Sequence, residues 1–153
     1  MALVYREDPY ASYNFELVLT GISDDGKVVK GSFSEVSGLE VDIAPIDYRN
    51  GSEDIVVRKV PGLKKFNVIV LKRGIIGDLA LWNWVLRGMQ GLVKRTEAAI
   101  ILLDENRREA MRWNFRRVWP SKWTGPGLNA KNNEIAMETL ELCHEGMSID
   151  GQK

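Results

Sequence analysis

The alternation of apolar and polar residues predicts that most of this chain forms β-strands. Residues 13–22 show it first, with apolar side chains at Phe15, Leu17 and Leu19 between polar neighbours. This is the pattern of a half-buried strand. Residues 28–34 then read as its return strand, because the turn-forming sequence Asp24-Asp25-Gly26 separates the two.

A long hairpin is predicted for residues 36–62. The first strand carries apolar residues at Val36, Leu39, Val41 and Ile43, and a second β-prone run occupies residues 55–57 before Pro61-Gly62. The polar segment between them contains Asn50-Gly51, a favoured hairpin turn, but is longer than a tight turn requires. An arm at residues 45–61 has little of its own domain to cover, so we expect it to meet another copy of the chain.

One helix is predicted at residues 78–91. Asp78 is placed to cap its beginning and Gly91 to follow its end. One apolar stripe at helical spacing comprises Leu79, Trp82, Leu86 and Met89. Trp84 and Val85 lie off this stripe, so we expect the helix to make contact on a second side as well.

Three further strands are predicted. Residues 64–71 and 97–103 include stretches that are apolar on both faces, which indicates cover on both sides. Residues 110–119 alternate most clearly, and a loop is expected from Pro120 onwards. Residues 133–145 have a helix-favouring composition but no clear period, so local propensity favours a helix there. The whole pattern indicates a β-sandwich or barrel with one helix.

Composition places the chain among ordinary globular proteins. Its 153 residues suit one domain, with 44% hydrophobic and 27% charged residues. The 21 basic and 21 acidic residues give no formal net charge, which disfavours a free nucleic-acid binder. Residues 1–10 lack the basic start and apolar core of a secretory signal, so we expect synthesis in the cytoplasm.

No catalytic, metal or cofactor site is expected. The single cysteine, Cys143, precedes the single histidine, His144, and neighbouring residues of a strand point to opposite faces. Asp24-Asp25-Gly26 lacks the remaining ligand spacing of a calcium loop and reads as a turn. The glycines form no phosphate-binding or dinucleotide-binding motif.

Residues 107–123 carry the one pattern that competes with a purely structural role. Arginines and tryptophans are crowded together there, as in surfaces that neutralise phosphates and stack on bases, so a monomeric nucleic-acid-binding module is the alternative function. The competing interpretation pairs the arginine face with Glu134, Glu138 or Glu141 of a neighbouring strand or copy. The balanced net charge favours the second interpretation.

Several stretches together resemble the tail-tube proteins of contractile phage tails and of phage-tail-like contractile injection systems. The first part comprises FSEVSGLEV (33–41), the bend Tyr48-Arg49-Asn50-Gly51, VRKVPGLKKF (57–66) and LKRGI (71–75). The second comprises ILLDE (101–105) and RWNFRRVWPSKWTGPGLNAKNNEIAMETLELCHEG (112–146). The resemblance covers residues 8–146 in order.

The resemblance implies a structural subunit with two packed antiparallel sheets, one flanking helix and a long hairpin arm. Six copies would form a ring whose sheets join into a barrel, and rings would stack into a tube inside a contractile sheath. The implied partners are further copies, the sheath, baseplate or hub and terminator proteins, a tape-measure protein, and DNA or protein cargo in the lumen. The resemblance also implies that residues 133–145 form a strand, against their local propensity.

The same resemblance assigns roles to two sets of residues. Ring stacking would involve the hairpin residues Tyr48, Arg49, Asn50, Glu53, Asp54, Arg58 and Lys59. Candidates for lining the lumen are Arg112, Arg116, Glu134 and Glu138. A tail terminator or baseplate hub with the same fold is a third possibility, and such proteins usually carry an added domain or extension.

Overall fold

The computed structural model describes residues 7–22, 29–31, 33–52, 55–75 and 79–150. These residues form ten strands and one helix. In chain order they are β1 (Phe15–Thr20), β2 (Val29–Gly31), β3 (Glu35–Ser37), β4 (Val41–Tyr48), β5 (Arg58–Phe66), β6 (Ile69–Gly74), α1 (Ala80–Met89), β7 (Thr96–Leu103), β8 (Glu109–Thr124), β9 (Met137–Cys143) and β10 (Gly146–Ile149). The sequence Asp24-Asp25-Gly26 lies outside the described residues.

The strands pair antiparallel in two sheets that share β8, beside a separate two-stranded sheet of β4 and β5. The first sheet contains β2, β1, β7, the first part of β8 and β10. The second contains the last part of β8, β9, β6 and β3. Pairing among the described strands starts at β2 and ends at β3, so the sheets do not close into a barrel within one chain. The expected mainly β fold with two antiparallel sheets and one helix is confirmed.

The hydrophobic core lies between the two sheets. Each side chain that forms its centre is at most 2% exposed: Leu17, Leu19, Ile100 and Phe115 from the first sheet, and Ile69, Leu71, Leu140 and Leu142 from the second. The predicted inward face of residues 13–22 is therefore confirmed. The predicted cover of residues 97–103 on both faces is also confirmed, since Ala99 and Ile101 on the other face are 5% and 6% exposed.

Strand β8 passes from one sheet to the other at a β-bulge. Ala98 lies opposite Phe115 but Thr96 lies opposite Val118, so β8 carries one extra residue there. Arg117 adopts a φ of 53°, as the bulged backbone requires. Beyond the bulge Trp119 pairs with Cys143 of β9. The predicted loop at Pro120 is wrong, because a second irregularity between Pro120 and Lys122 accommodates the missing proline N–H.

The return strand of the hairpin differs from the prediction. Residues 55–57 lie outside the strand, and β5 runs through Pro61-Gly62 to Phe66. Pro45 and Pro61 lie opposite each other in a separate two-stranded sheet, so neither proline removes a hydrogen bond from a central strand. A Cβ at Gly62 would lie 2.5 Å from the Ala44 carbonyl oxygen, so glycine permits the close pairing. The predicted strand at residues 64–71 is therefore two strands, separated at residues 67–68.

The helix is confirmed, but the face predicted for its core contact is wrong. Leu81 and Trp84 are 2% and 1% exposed, whereas Leu79 and Met89 are 61% and 63% exposed. Trp84 can be buried because its indole N–H finds an acceptor, the Lys94 carbonyl, at 3.0 Å. The helix ends in a Schellman motif: Gly91 has a φ of 83°, and Leu92 N–H donates to the Arg87 carbonyl at 2.9 Å. The predicted cap Asp78 lies outside the described residues.

Residues 137–143 form strand β9, as the family resemblance implied and local propensity did not. Leu140 and Leu142 of this strand pair with Leu71 and Ile69 in the core. Strand β10 was not predicted. It pairs along residues 113–116 of β8.

Substitution of Gly38 by alanine should destabilise the protein by about 2 kcal/mol or more. Gly38 has a φ of 89°, and an added Cβ would lie 2.0 Å from the Val68 carbonyl oxygen, where β6 and the hairpin meet. Urea denaturation of both proteins at equal concentration measures the change. Gly127→Ala is the matched control, because its Cβ meets nothing within 4 Å. Equal stability of the two variants would contradict the strained, crowded backbone at Gly38.

Candidate assembly surfaces

The β4–β5 hairpin is exposed along nearly its whole length. All eight residues of β4 and seven of the nine residues of β5 are exposed. An isolated two-stranded hairpin is at best marginally stable in water, so this length of uncovered sheet indicates contact with another surface.

Near its tip the hairpin has one apolar and one charged face. Ile46 lies opposite Val60 and Tyr48 opposite Arg58, which places these four residues on one side. The apolar members Ile46, Tyr48 and Val60 are 54%, 53% and 43% exposed. On the other side Asp47 pairs with Lys59 in an exposed ion pair. The hairpin therefore presents an apolar patch bordered by charge.

The described members of the predicted stacking set lie on or beside this hairpin, and two further apolar residues share the face of Tyr48. Tyr48, Arg58 and Lys59 belong to the paired strands, and Arg49 and Asn50 follow β4 at the bend. Glu53 and Asp54 lie outside the described residues. Ile46 and Val60, the apolar residues on the face of Tyr48, were not in the predicted set. The cross-strand register brings them together, and it could not be read because the return strand was predicted in the wrong place.

The arginines of the β7–β8 hairpin are largely paired within the chain, but with acids other than the predicted Glu134, Glu138 and Glu141. Arg108 contacts Asp104 at 3.3 Å, Arg117 contacts Glu145 at 2.6 Å, and Arg112 contacts Glu109 at 3.0 Å. Cations neutralised in this way offer less charge to phosphates. Asp104 also accepts the backbone N–H groups of Arg108 and Asn106, and the first of these bonds is the main reason that the pKa of Asp104 lies below its usual range.

The four candidate lumen residues occupy different environments. Arg112 and Arg116 lie on the outer face of the first sheet, where Arg116 covers Gly146 of β10 so closely that a Cβ there would lie 2.2 Å from its Nε. Glu134 is exposed in the segment that precedes β9. Glu138, by contrast, points into the core region.

Glu138 takes part in a largely buried ion pair. Its carboxylate accepts a hydrogen bond from Arg73 Nε and another from the Trp123 indole N–H, at 3.1 Å. The side chains of Arg73 and Glu138 are only 5% and 14% exposed. The Arg73 guanidinium also lies 5.8 Å from the centre of the Phe33 ring. These contacts join three strands of the second sheet at the edge of the core.

The outer face of the second sheet is a polar surface that sequence reasoning missed. Strand register places Glu35, Lys72, Thr139 and Thr124 in one row across four strands, and Glu35 and Lys72 are 3.7 Å apart. A neighbouring row pairs Lys122 with Glu141. The signs alternate on this face, which no single stretch of sequence reveals because the rows combine residues from 35 to 141.

The described residues show neither a metal-binding group nor a membrane helix. No three His, Cys, Asp or Glu side chains of the described ranges come together as metal ligands. In the same part of the chain, no helix is long and apolar enough to cross a membrane.

A two-sheet core with an uncovered, patterned hairpin defines a structural β-protein that assembles with other chains. Residues 11–148 match the model of a family described as T4-like virus tail tube protein gp19, and the chain belongs to that family. It is thus a tail-tube protein, a subunit of the inner tube of a contractile injection apparatus.

Solved structures with the same fold agree with this family. The chain is 26% identical to one in the sheath–tube complex of an extracellular contractile injection system, PVC, in the extended state, with a TM-score of 0.82 over 94% of this chain and 93% of that one. It is 22% identical to a chain in the anti-feeding prophage (AFP) baseplate, with a TM-score of 0.86 over 95% and 98%. Hcp1 from Flavobacterium johnsoniae is 14% identical, with a TM-score of 0.55 over 92% and 97%. No curated protein matches the sequence.

Proposed function

We propose that the whole chain forms one tail-tube domain, with an N-terminal arm at residues 1–12, that assembles into six-membered rings and then into a stacked, hollow tube. Contraction of an outer sheath drives this tube through a target envelope, and cargo passes along the lumen. The uncovered β4–β5 hairpin carries the proposal, because its exposed apolar patch has no partner surface among the described residues. A ring contact that closes on itself and a stacking contact that continues indefinitely together produce a tube.

Stacking uses the hairpin. The apolar patch of Ile46, Tyr48 and Val60 supplies the surface that is removed from water when the next ring docks. Arg49, Arg58 and Lys59 lie on or beside the described strands of the hairpin. With Glu53 and Asp54, the charged residues proposed for stacking carry both signs. Mixed signs favour one rotational register of the rings over others.

The lumen is lined by polar faces of the sheets. Arg116 and Glu134 are the lining residues supported by their exposure. Arg112 is half-buried and paired with Glu109, and the carboxylate of Glu138 is already engaged by Arg73 and Trp123. Because the wall carries both signs, it does not hold nucleic acid as a uniformly basic wall does. DNA or a protein effector, with a tape-measure protein, is the proposed content.

The protein has a structural role without catalysis or a cofactor. Its outer partners are a sheath, a baseplate or hub and a terminator, since similar chains occur in a sheath–tube complex, a baseplate and a tube-terminating cap. The subunit is made and assembled in the bacterial cytoplasm, and the tube then becomes part of a phage tail or a phage-tail-like particle.

Negative-stain microscopy and size-exclusion chromatography of the purified protein test this function. We expect rings, and tubes of stacked rings as the concentration rises. Rings that never stack would favour a terminator or hub. A monomer that binds single-stranded DNA with a strong salt dependence would instead support the nucleic-acid-binding alternative.

A further inference from the structure

His144, the only histidine of the chain, lies where the hairpin meets the two-sheet core. It follows the last residue of β9 and precedes β10, and it is only 9% exposed. No role in ring assembly or in the lumen accounts for a buried titratable group at this position.

The imidazole ring links the root of the hairpin to the core. Its centre lies 5.2 Å from the ring of Phe66, the last residue of β5, and 4.9 Å from the ring of Phe115. Phe115 is 1% exposed and belongs to the central core cluster. The imidazole is therefore in contact with one aromatic ring of the hairpin and one of the core.

The hydrogen bonds of the ring fit a neutral imidazole. Nδ1–H donates to the Gly146 carbonyl at 3.2 Å, and Nε2 is buried without a hydrogen bond of acceptable geometry among the described residues. The backbone of Asn67 also lies near the ring and partly favours its charged form. Neither nitrogen faces a carboxylate. Proton uptake at Nε2 would therefore place a full charge between two phenylalanine rings with no anion to pair with it.

The charged groups on the surrounding elements do not compensate for this. Lys64 and Lys65 lie on β5, and Arg116 and Arg117 lie on β8. Three acids lie on these or adjoining segments. Glu145 pairs with Arg117, and Glu40 accepts a hydrogen bond from the Asn67 side-chain amide. The third, Glu97, lies on β7. The basic groups outnumber the acidic ones, and two of the three acids are already engaged.

We propose that His144 is an acid-sensitive latch, which holds the root of the β4–β5 hairpin against the core when neutral and releases it when protonated. Release separates Phe66 from the imidazole and admits water to Nε2. It leaves the two sheets intact, because β4 and β5 pair only with each other.

The pH range of release follows from the burial of the ring. Burial lowers the pKa of His144 below its usual value, and the backbone of Gly146 and Asn67 opposes this only in part. The open form, with its ring in water, has the ordinary histidine pKa of about 6.5. The open form therefore takes up a proton first as the pH falls, so closure is favoured above about pH 6.5 and is progressively lost below it. Below the pKa of the closed form the imidazole is protonated in both forms, so the free energy of closure no longer changes with pH.

Amide hydrogen exchange of the full chain tests the latch. Exchange of residues 41–66, corrected for its intrinsic pH dependence, should be several-fold faster at pH 5.5 than at pH 7.5, while the core strand β7 stays protected. Two variants remove the titrating group in different ways: His144→Phe keeps the ring stacking, and His144→Asn keeps a donor for Gly146. In both, the hairpin should exchange equally at the two pH values.

An acid response retained in either variant, or absent from the wild-type protein, would overturn the latch. Titration of the single imidazole by NMR gives an independent measurement that needs no variant, and a pKa at or above about 6.5 would likewise contradict it. Both measurements concern a single chain, so they test the latch even if the protein never forms tubes. If rings stack through the hairpin as proposed, wild-type tubes should also separate into rings at pH 5.5, and His144→Phe tubes should not.

Discussion

Replacement of Glu138 by alanine should lower the free energy of unfolding by about 3–5 kcal/mol. The change would leave the Arg73 guanidinium charged, 5% exposed and without its carboxylate, and would also remove the acceptor for the Trp123 indole. Urea denaturation followed by tryptophan fluorescence measures the loss.

Two further variants identify the cause of that loss. Glu134→Ala removes an exposed carboxylate four residues earlier and should change the stability by less than about 0.5 kcal/mol. Arg73→Met combined with Glu138→Leu removes both charges and should recover most of the stability, since an apolar pair of similar volume is often as stable as a buried ion pair. A double variant as unstable as Glu138→Ala would show that packing, and not the loss of the Glu138 carboxylate beside the Arg73 charge, is responsible.

Deletion of residues 50–54 should abolish tube formation and leave a folded protein. The deletion shortens the connection between β4 and β5 and removes none of the core residues that the structure describes. Circular dichroism and thermal denaturation report the fold, and negative-stain microscopy reports the tubes. Replacing the same five residues by glycine and serine keeps the length of the arm, so it separates the effect of length from that of the side chains. Normal tubes from the deletion variant would exclude stacking through the bend.

Ile46→Asp tests the apolar patch without changing the length of the hairpin. Ile46 is 54% exposed in the single chain, so an aspartate there is solvated and the fold should be retained. At a docked interface the same carboxylate is buried without a partner, which costs several kcal/mol and should prevent stacking. Ile135→Asp is the matched control, because Ile135 is 81% exposed and lies outside the hairpin. Equal assembly of both variants would remove Ile46 from the stacking contact.

The strands with regular alternation could be predicted from the sequence. Residues 13–22 and 110–119 follow a period of two because each has one face in the core. The return strand of the hairpin could not be placed, because Pro61-Gly62 reads as a strand end. Both residues are accommodated only because β5 pairs with β4 alone. The apolar stripe of the helix did not identify its core-facing side, because Leu81 and Trp84, the buried residues, lie off that stripe. The second contact expected on the side of Trp84 and Val85 is the one with the core.

The candidate surfaces were predicted in part. Sequence and resemblance located the hairpin and its charged residues, and the structure places the described members of that set together. The pairing of Glu138 with Arg73 spans 65 residues and depends on the register of β6 and β9, which composition does not reveal. The alternating charges on the outer face of the second sheet are hidden for the same reason.

The bulged strand β8 has a mechanical consequence. Its 16 residues extend over about 50 Å and take part in both sheets, so a single covalent backbone connects the two layers of the domain. A tube that is thrust through an envelope is loaded along its axis. Force applied to one layer therefore reaches the other through the peptide bonds of β8, and not only through the contact of apolar side chains. For the two layers to slide past each other, the hydrogen bonds that hold β8 in one of the sheets must break.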